Sequence, residues 1–413
     1  MTASRTYLIG GYQTDFARNW ARSGLGFAEL VEAVVTNTLE AAAVAPGEIE
    51  VLHVGNAFGQ LFTGQGQLGG MPATVNPQLW GIPAARHEAA CASGGVALLS
   101  AMADLEAGRY DVALVLGAEL ERTVSGDEAA RHLGAAAWIG HEGEQAKFMW
   151  PFMFSELADE YDKRFGIDDA HLRAIARLNF DNARRNPNAQ TRNWTLTDAS
   201  FSTDDEANPI VEGRLRRHDC SQITDGAAGL VLVSDRYLGR HPELGRRPVA
   251  EVLGWGHRTV GLPLEQKLRQ SADQPYVLPH VRQAVLDAFG RAGLGGVDDV
   301  DGIETHDCFT MSQYAAIDHF GITGPGESWK AIESGDLEIG GRVPMNPSGG
   351  LIGGGHPVGA SGVRMVLDAY RQVTDQAGDY QVPGAQRFAT LNIGGSTTTT
   401  VSFVVGAVRS GQR

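Results

Sequence analysis

The chain has 413 residues, 43% of them hydrophobic and 20% charged, so it holds material for a large core and for more than one folding unit. Its 34 basic and 49 acidic residues leave a net charge of −15, which weighs against nucleic acid as the principal partner. No apolar run reaches the length of a membrane span and residues 1–10 carry no signal-peptide pattern, so cytoplasmic residence is the default expectation.

Taken in chain order, the N-terminus runs directly into a strand-like segment. Residues 30–41 read as a helix and 49–58 as a strand with its following loop. A small-residue turn at His87–Gly95 then leads into an Ala/Leu-rich helix, and a strand follows at Val112–Gly117. Residues 121–213 are more polar, include Trp138, Trp150 and Trp194, and read as an inserted loop domain. Strand-like runs return at 229–233 and 248–254 and are expected to complete the first sheet. The plan then repeats: a helix at 280–289, a strand and loop at 300–309 ending in Phe309, a glycine-containing helix start at Ala360–Ser361–Gly362, a strand at 388–394 and a threonine-rich strand from Thr397 to Thr400. Helices alternating with short β-rich runs predict an α/β fold of two similar mixed-sheet domains. The expected boundaries are 1–120 (completed by about 214–256), 121–213 and 257–413.

Three cysteines, Cys91, Cys220 and Cys308, form an odd set without CxxC spacing, which argues against a disulfide framework and a zinc knuckle. Taken alone, a free cysteine is more often inert packing. Cys91, however, stands at the start of a helix whose free N–H groups and dipole favour a thiolate. His356 follows a run of glycines and precedes Pro357, a setting that suits an imidazole activating a nucleophile. If the two halves face each other across a pseudo-twofold axis, these loops meet. A metal held by Cys91, Cys308 and His356 lacks the usual paired local spacing, and no metal is expected.

Cys91–Ala92–Ser93, Gly355–His356–Pro357 and His306–Asp307–Cys308–Phe309 together resemble the thiolase family, specifically its sterol-carrier-protein type. Ordinary thiolases carry Asn-Glu-Ala-Phe in place of the third motif and a Cys-x-Gly where this chain has Asn392–Ile393–Gly394. The resemblance spans nearly the whole chain, Asp219–Ala228 included. It implies a duplicated thiolase fold in α-β-α-β-α layers with the inserted loop domain binding coenzyme A. It further implies thiolytic cleavage of 3-ketoacyl-CoA or the reverse Claisen condensation, placed in fatty-acid and lipid metabolism. Cys91 is then the acylated nucleophile, His356 its activator and Cys308 the acid and base. His306 is an oxyanion donor beside His356, while the backbone of Cys91 and Gly394 forms a second oxyanion hole.

The resemblance implies coenzyme A as co-substrate, no covalently bound cofactor, and a homodimer or homotetramer. Phe309 is expected at the acyl pocket. Met149, Phe152 and Met153 are candidates for an acyl or pantetheine tunnel, with plain core packing as the other reading. Arg184, Arg185 and Arg192 are candidates for CoA phosphates, with a solvated basic face equally open. Asn392 is either a site residue or a turn holder, and Cys220 is expected to be a structural thiol. The alternatives are another acyltransferase on the same fold and a non-catalytic lipid-binding or scaffold subunit. No further sterol-carrier domain is expected after residues 404–409.

Overall fold

The computed structural model describes residues 5–408; the few terminal residues of the expected first and last domains lie outside that range. Among the described residues, no helix is long and apolar enough to cross a membrane.

The strands are β1 (Thr6–Gln13), β2 (Val51–Gly55), β3 (Ala84–His87), β4 (Val112–Glu119), β5 (Ile210–Glu212), β6 (Leu215–Arg216), β7 (Gly226–Ser234), β8 (Ala250–Thr259), β9 (Gly302–Thr305), β10 (Arg387–Gly394) and β11 (Thr399–Ala407). Nine of them join in the order β3-β2-β4-β7-β1-β8-β11-β10-β9, and β5 pairs with β6 separately. The β2–β3, β2–β4 and β9–β10 pairs are parallel and the rest of the large sheet is antiparallel.

The repeat seen in the sequence is a repeat in space. The Phe27–Ala42 helix buries Phe27, Leu30, Val31, Val34, Val35 and Leu39, a helical stripe, against the outer face of the first half. Its counterpart Pro279–Arg291, opened by a proline at a first-turn position, buries Val281, Ala284, Val285, Ala288 and Phe289 against the second half. The helices Ser93–Glu106 and Ser361–Val373 share a core facing both halves. Alternation along the strands divides these cores: Leu114 and Leu116 of β4 face the outer helix, and Ala113 and Val115 face the inner pair. Cover on both faces explains why β4 and β7 are buried along their whole length.

One expectation changes. β7 completes the first half, but β8 pairs along nearly its full length with β11 and meets β1 only at Tyr7–Glu251 and Leu8–Ala250. The 248–254 run therefore begins the second half, and its short contact with β1 makes the two halves continuous. The 121–213 insertion is largely helical, with helices Met149–Phe165 and Asp169–Ala183. These pack on the buried Thr310–Phe320 helix and so cover the loop that carries Cys308.

Candidate active site

After β3 the chain passes through Ala90 at φ 49°, an uncommon conformation for a residue with a Cβ, and presents Cys91 just ahead of the Ser93–Glu106 helix. The Ser93 hydroxyl fixes this turn by accepting from the Ala89 N–H at 2.9 Å and donating to the Ala90 carbonyl at 2.6 Å. Asn392, on β10, donates to the Cys91 carbonyl at 2.9 Å and ties the turn to the second half. A Cβ on Gly394 would lie 2.2 Å from the Ala89 carbonyl oxygen, so β10 approaches this closely only as glycine.

β9 delivers His306, Asp307, Cys308 and Phe309. Asp307 is fully buried and accepts from the Leu351 N–H at 2.6 Å, the Ile352 N–H at 3.2 Å and Asn179 Nδ2 at 2.8 Å. Burial pushes its carboxyl up to about 6 despite those donors and Arg364. The glycine-rich loop wraps this carboxyl tightly: Gly350 has φ +62°, and a Cβ there would stand 2.3 Å from an Asp307 oxygen. The glycines expected to approach a ligand thus also approach Asp307, which fixes the Cys308 loop.

His356 Nδ1 lies 2.7 Å from Ser361 Oγ, while that hydroxyl donates to the Pro357 carbonyl at 3.1 Å. The network therefore assigns the imidazole proton to Nδ1 and leaves Nε2 as an open acceptor. Burial, with the charge of Arg364 second, holds His356 down to about 3, so the ring is neutral. His306 is held well below its ordinary value by burial first, then by His356 and Arg364, and its Nδ1 is buried without a hydrogen-bond partner. The two rings meet edge to face at 5.2 Å. One donor atom each from Cys91, His306 and His356 lies within 4.8 Å of the others. Such atoms are also of the type that binds zinc, in a different set from the one weighed in the sequence.

The expectation of a thiolate at Cys91 is reversed. Burial, followed by Glu121, pushes the thiol up to about 12, outweighing the hydrogen bonds from the Gly395 and Cys91 amides. Cys308 is pushed well above its ordinary value by burial, then by Cys91. The resting site holds two neutral thiols and two neutral imidazoles.

Cys91, Cys308 and His356 open on one cavity of about 310 Å³, walled largely by Phe58, Leu133, Phe148, Trp150, Phe154 and Phe309. Phe309 packs against Phe154 with the rings tilted and their centres 4.8 Å apart. Met149 lines the cavity, whereas Met153 is buried in the core and Phe152 packs against that core. Gly395, rather than Gly394, borders the cavity and directs its amide at the Cys91 sulfur.

Arg184 and Arg185 do not line this cavity. Arg184 pairs with Asp181, and Arg185 lines a separate groove with Arg173 and Arg177. Arg192 is held by Asp15 at 2.7 Å. The cation at the cavity is Arg217, which is exposed and had no distinguishing motif. Cys220 also reaches the cavity, with Sγ 3.4 Å from the Arg216 carbonyl.

Residues 219–225 strap the two halves of the site together. Asp219 accepts from Thr310 Oγ1 at 3.1 Å, the Ser221 N–H donates to the Cys308 carbonyl at 2.8 Å, and Thr224 Oγ1 accepts the His356 N–H at 2.9 Å. The buried acids Glu119 and Glu121 were not selected from the sequence, although Glu-x-Glu closing an apolar strand is a visible anomaly.

The family model described as "Thiolase, N-terminal domain" matches residues 6–236, and "Thiolase C-terminal domain-like" matches residues 265–407. The chain belongs to the thiolase family. This thiolase is 30% identical over 394 residues to a protein named "Acetyl-CoA acetyltransferase" from Methanothermobacter thermautotrophicus, covering 95% of this chain and 97% of that one. It is 26% identical to human "Sterol carrier protein 2", with 97% and 72% covered. A solved structure titled "Ltp2-ChsH2(DUF35) aldolase" shares the fold at TM-score 0.78, with 21% identity and 98% of each chain covered. "Acetyl-CoA acetyltransferase from Syntrophomonas wolfei" does so at TM-score 0.67, with 18% identity and 98% and 99% covered.

Proposed function

We propose that this thiolase interconverts 3-ketoacyl-CoA plus CoA with a shortened acyl-CoA plus acetyl-CoA through an acyl-cysteine at Cys91. The observation that carries this reading is the convergence of Cys91, His306 and His356 within 4.8 Å, with Cys308 on the same cavity. The His356 Nε2 acceptor takes the Cys91 proton as Sγ bonds to the ketone carbon. The carbon–carbon bond then breaks, its electrons pass to the acetyl-CoA enolate, and Cys308 supplies the proton that completes acetyl-CoA. The Cys308 thiolate next takes the proton of incoming CoA, whose sulfur displaces the acyl group from Cys91. Two neutral thiols suit this sequence, because each must give up its proton only as a bond forms.

In this reading His306 and His356 donate to the thioester oxygen when the enolate forms, which requires His356 to carry the proton it has just accepted. We assign the Cys91 and Gly395 amides, which face the Cys91 sulfur, to the oxygen of the tetrahedral intermediate formed there. Arg217 is the cation we assign to CoA at the cavity. The half-exposed edge strand β3 supports self-association as a homodimer or homotetramer, since an open edge is a template for pairing. A cytoplasmic enzyme using coenzyme A as co-substrate and no bound cofactor completes the reading.

Thiolysis of acetoacetyl-CoA by wild-type and Cys308→Ala protein tests it. Turnover in the wild type, with loss of turnover but retention of Cys91 acylation in the variant, is the expected result. Full turnover in Cys308→Ala contradicts the two-cysteine scheme.

A further inference from the structure

Two carboxyls stand at the end of β4, beneath Cys91. Glu119 is saturated: Oε1 accepts from Asn56 Nδ2 at 2.7 Å and the Phe58 N–H at 3.0 Å, and Oε2 accepts from the Ala57 and Gly359 N–H groups at 2.9 Å each. Four donors fill its four lone-pair sites, which makes it the anion of the pair. Glu121 is 1% exposed and has less support. Its Oε1 accepts the Val358 N–H at 3.1 Å, and the Thr224 amide also points at the carboxyl. Burial first and the neighbouring Glu119 second raise the Glu121 carboxyl well above its ordinary value, and the saturation of Glu119 assigns a proton held by the pair to Glu121.

An acid proton on Glu121 finds the Glu119 lone pairs already taken. Glu121 also lines the cavity shared by Cys91, Cys308 and His356. Apart from the catalytic groups, the cavity wall is mainly aromatic and aliphatic, with Arg217, Ser221 and Gln222 as its other polar side chains. Val358, which donates to Glu121, stands two residues from His356 and lines the cavity itself, so this acid is at the reacting end.

We propose that Glu121 is a specificity residue that donates a hydrogen bond to an oxygen on the acyl group bound at Cys91, so that the cavity selects oxygenated acyl chains over plain alkyl chains. The inference rests on the acyl-cysteine reading above. A buried hydroxyl donor left facing an alkyl chain is unpaired, whereas a substrate hydroxyl or keto oxygen satisfies it, and a site built in this way rejects the analogue that lacks the oxygen.

The test is the rate of Cys91 acylation, followed by intact mass, with 3-hydroxybutyryl-CoA, 4-hydroxybutyryl-CoA and butyryl-CoA. In this step the Cys91 sulfur bonds to the thioester carbon as its proton passes to His356 Nε2, and the bond to CoA sulfur breaks as Cys308 protonates the departing CoA, the reverse of the deacylation above. The expected wild-type preference for at least one hydroxyacyl group over butyryl is about ten- to a hundredfold. Glu121→Gln, which keeps a donor, retains most of that ratio, and Glu121→Leu brings it to near unity. The ratio is internal to each protein, so a loss of folded fraction cancels. Equal rates for all three thioesters in the wild type, or a preference that survives Glu121→Leu, overturn the proposal while leaving the acyl-cysteine reading intact. Absence of any Cys91 adduct contradicts that reading and this proposal with it.

Discussion

Ser361→Ala isolates how the nucleophile is activated. Ser361 is fully buried, accepts the His356 Nδ1 proton at 2.7 Å and passes its own to the Pro357 carbonyl at 3.1 Å. Alanine leaves the Nδ1–H without a partner in a dry site, a penalty of about 1–3 kcal/mol. The ring avoids that penalty by moving its proton to Nε2, and in that tautomer it cannot accept from Cys91. The same free energy applied to the acylation barrier is a fall of about 5- to 150-fold in the rate constant. The assay is quenched-flow mixing with acetyl-CoA and intact mass of Cys91, with apparent acetyl-CoA affinity and thermal unfolding measured on the same preparation. The expected result is slower acylation with affinity and folding retained. Wild-type acylation in folded Ser361→Ala would refute the tautomer argument.

Alkylation of Cys91 by iodoacetamide should climb steadily from pH 6 to pH 10, because the thiol is pushed up to about 12; a plateau at neutral pH would instead mean a thiolate–imidazolium pair. Gly350→Ala places a methyl group 2.3 Å from an Asp307 oxygen at φ +62°, and a loss of about 3 kcal/mol or more in denaturant stability is expected, together with the loss of turnover. Arg217→Ala should raise the KM for CoA about fivefold or more, whereas Arg185→Ala, on the separate groove, should leave it unchanged in the same steady-state assay. Added zinc should inhibit by binding Cys91, His306 and His356, and EDTA should reverse the inhibition without lowering the basal rate.

Much of the fold was legible because its signals are local and occur twice. The apolar stripe of residues 30–41 and its partner at 280–289 each name a helix by spacing alone. The nucleophile turn and the His306–Phe309 and Gly355–Pro357 motifs carry their identities in a few adjacent residues. What failed depends on burial or direction. The helix start at Cys91 offers roughly 0.3–1 kcal/mol toward a thiolate. Desolvation of the thiol, with Glu121 beside it, moves the pKa further in the opposite direction, and only the fold shows that half-buried Cys91 has these surroundings. The strand character of 248–254 does not say which edge it joins, and the pairing with β11 decides that. Arg184 and Arg185 sit just past the end of the Asp169–Ala183 helix, where sequence cannot show which groove they face. Arg217 and Glu121 gain meaning only because a cavity opens beside them.

The central claim is that Cys91 carries the acyl group, and intact mass spectrometry after brief mixing with acetyl-CoA tests it most directly. The account predicts one acetyl adduct on the wild-type chain, located to Cys91 by peptide mapping, discharged by added CoA and absent in Cys91→Ser. An adduct on Cys308 or Cys220 instead, or one that persists in Cys91→Ser, would contradict it.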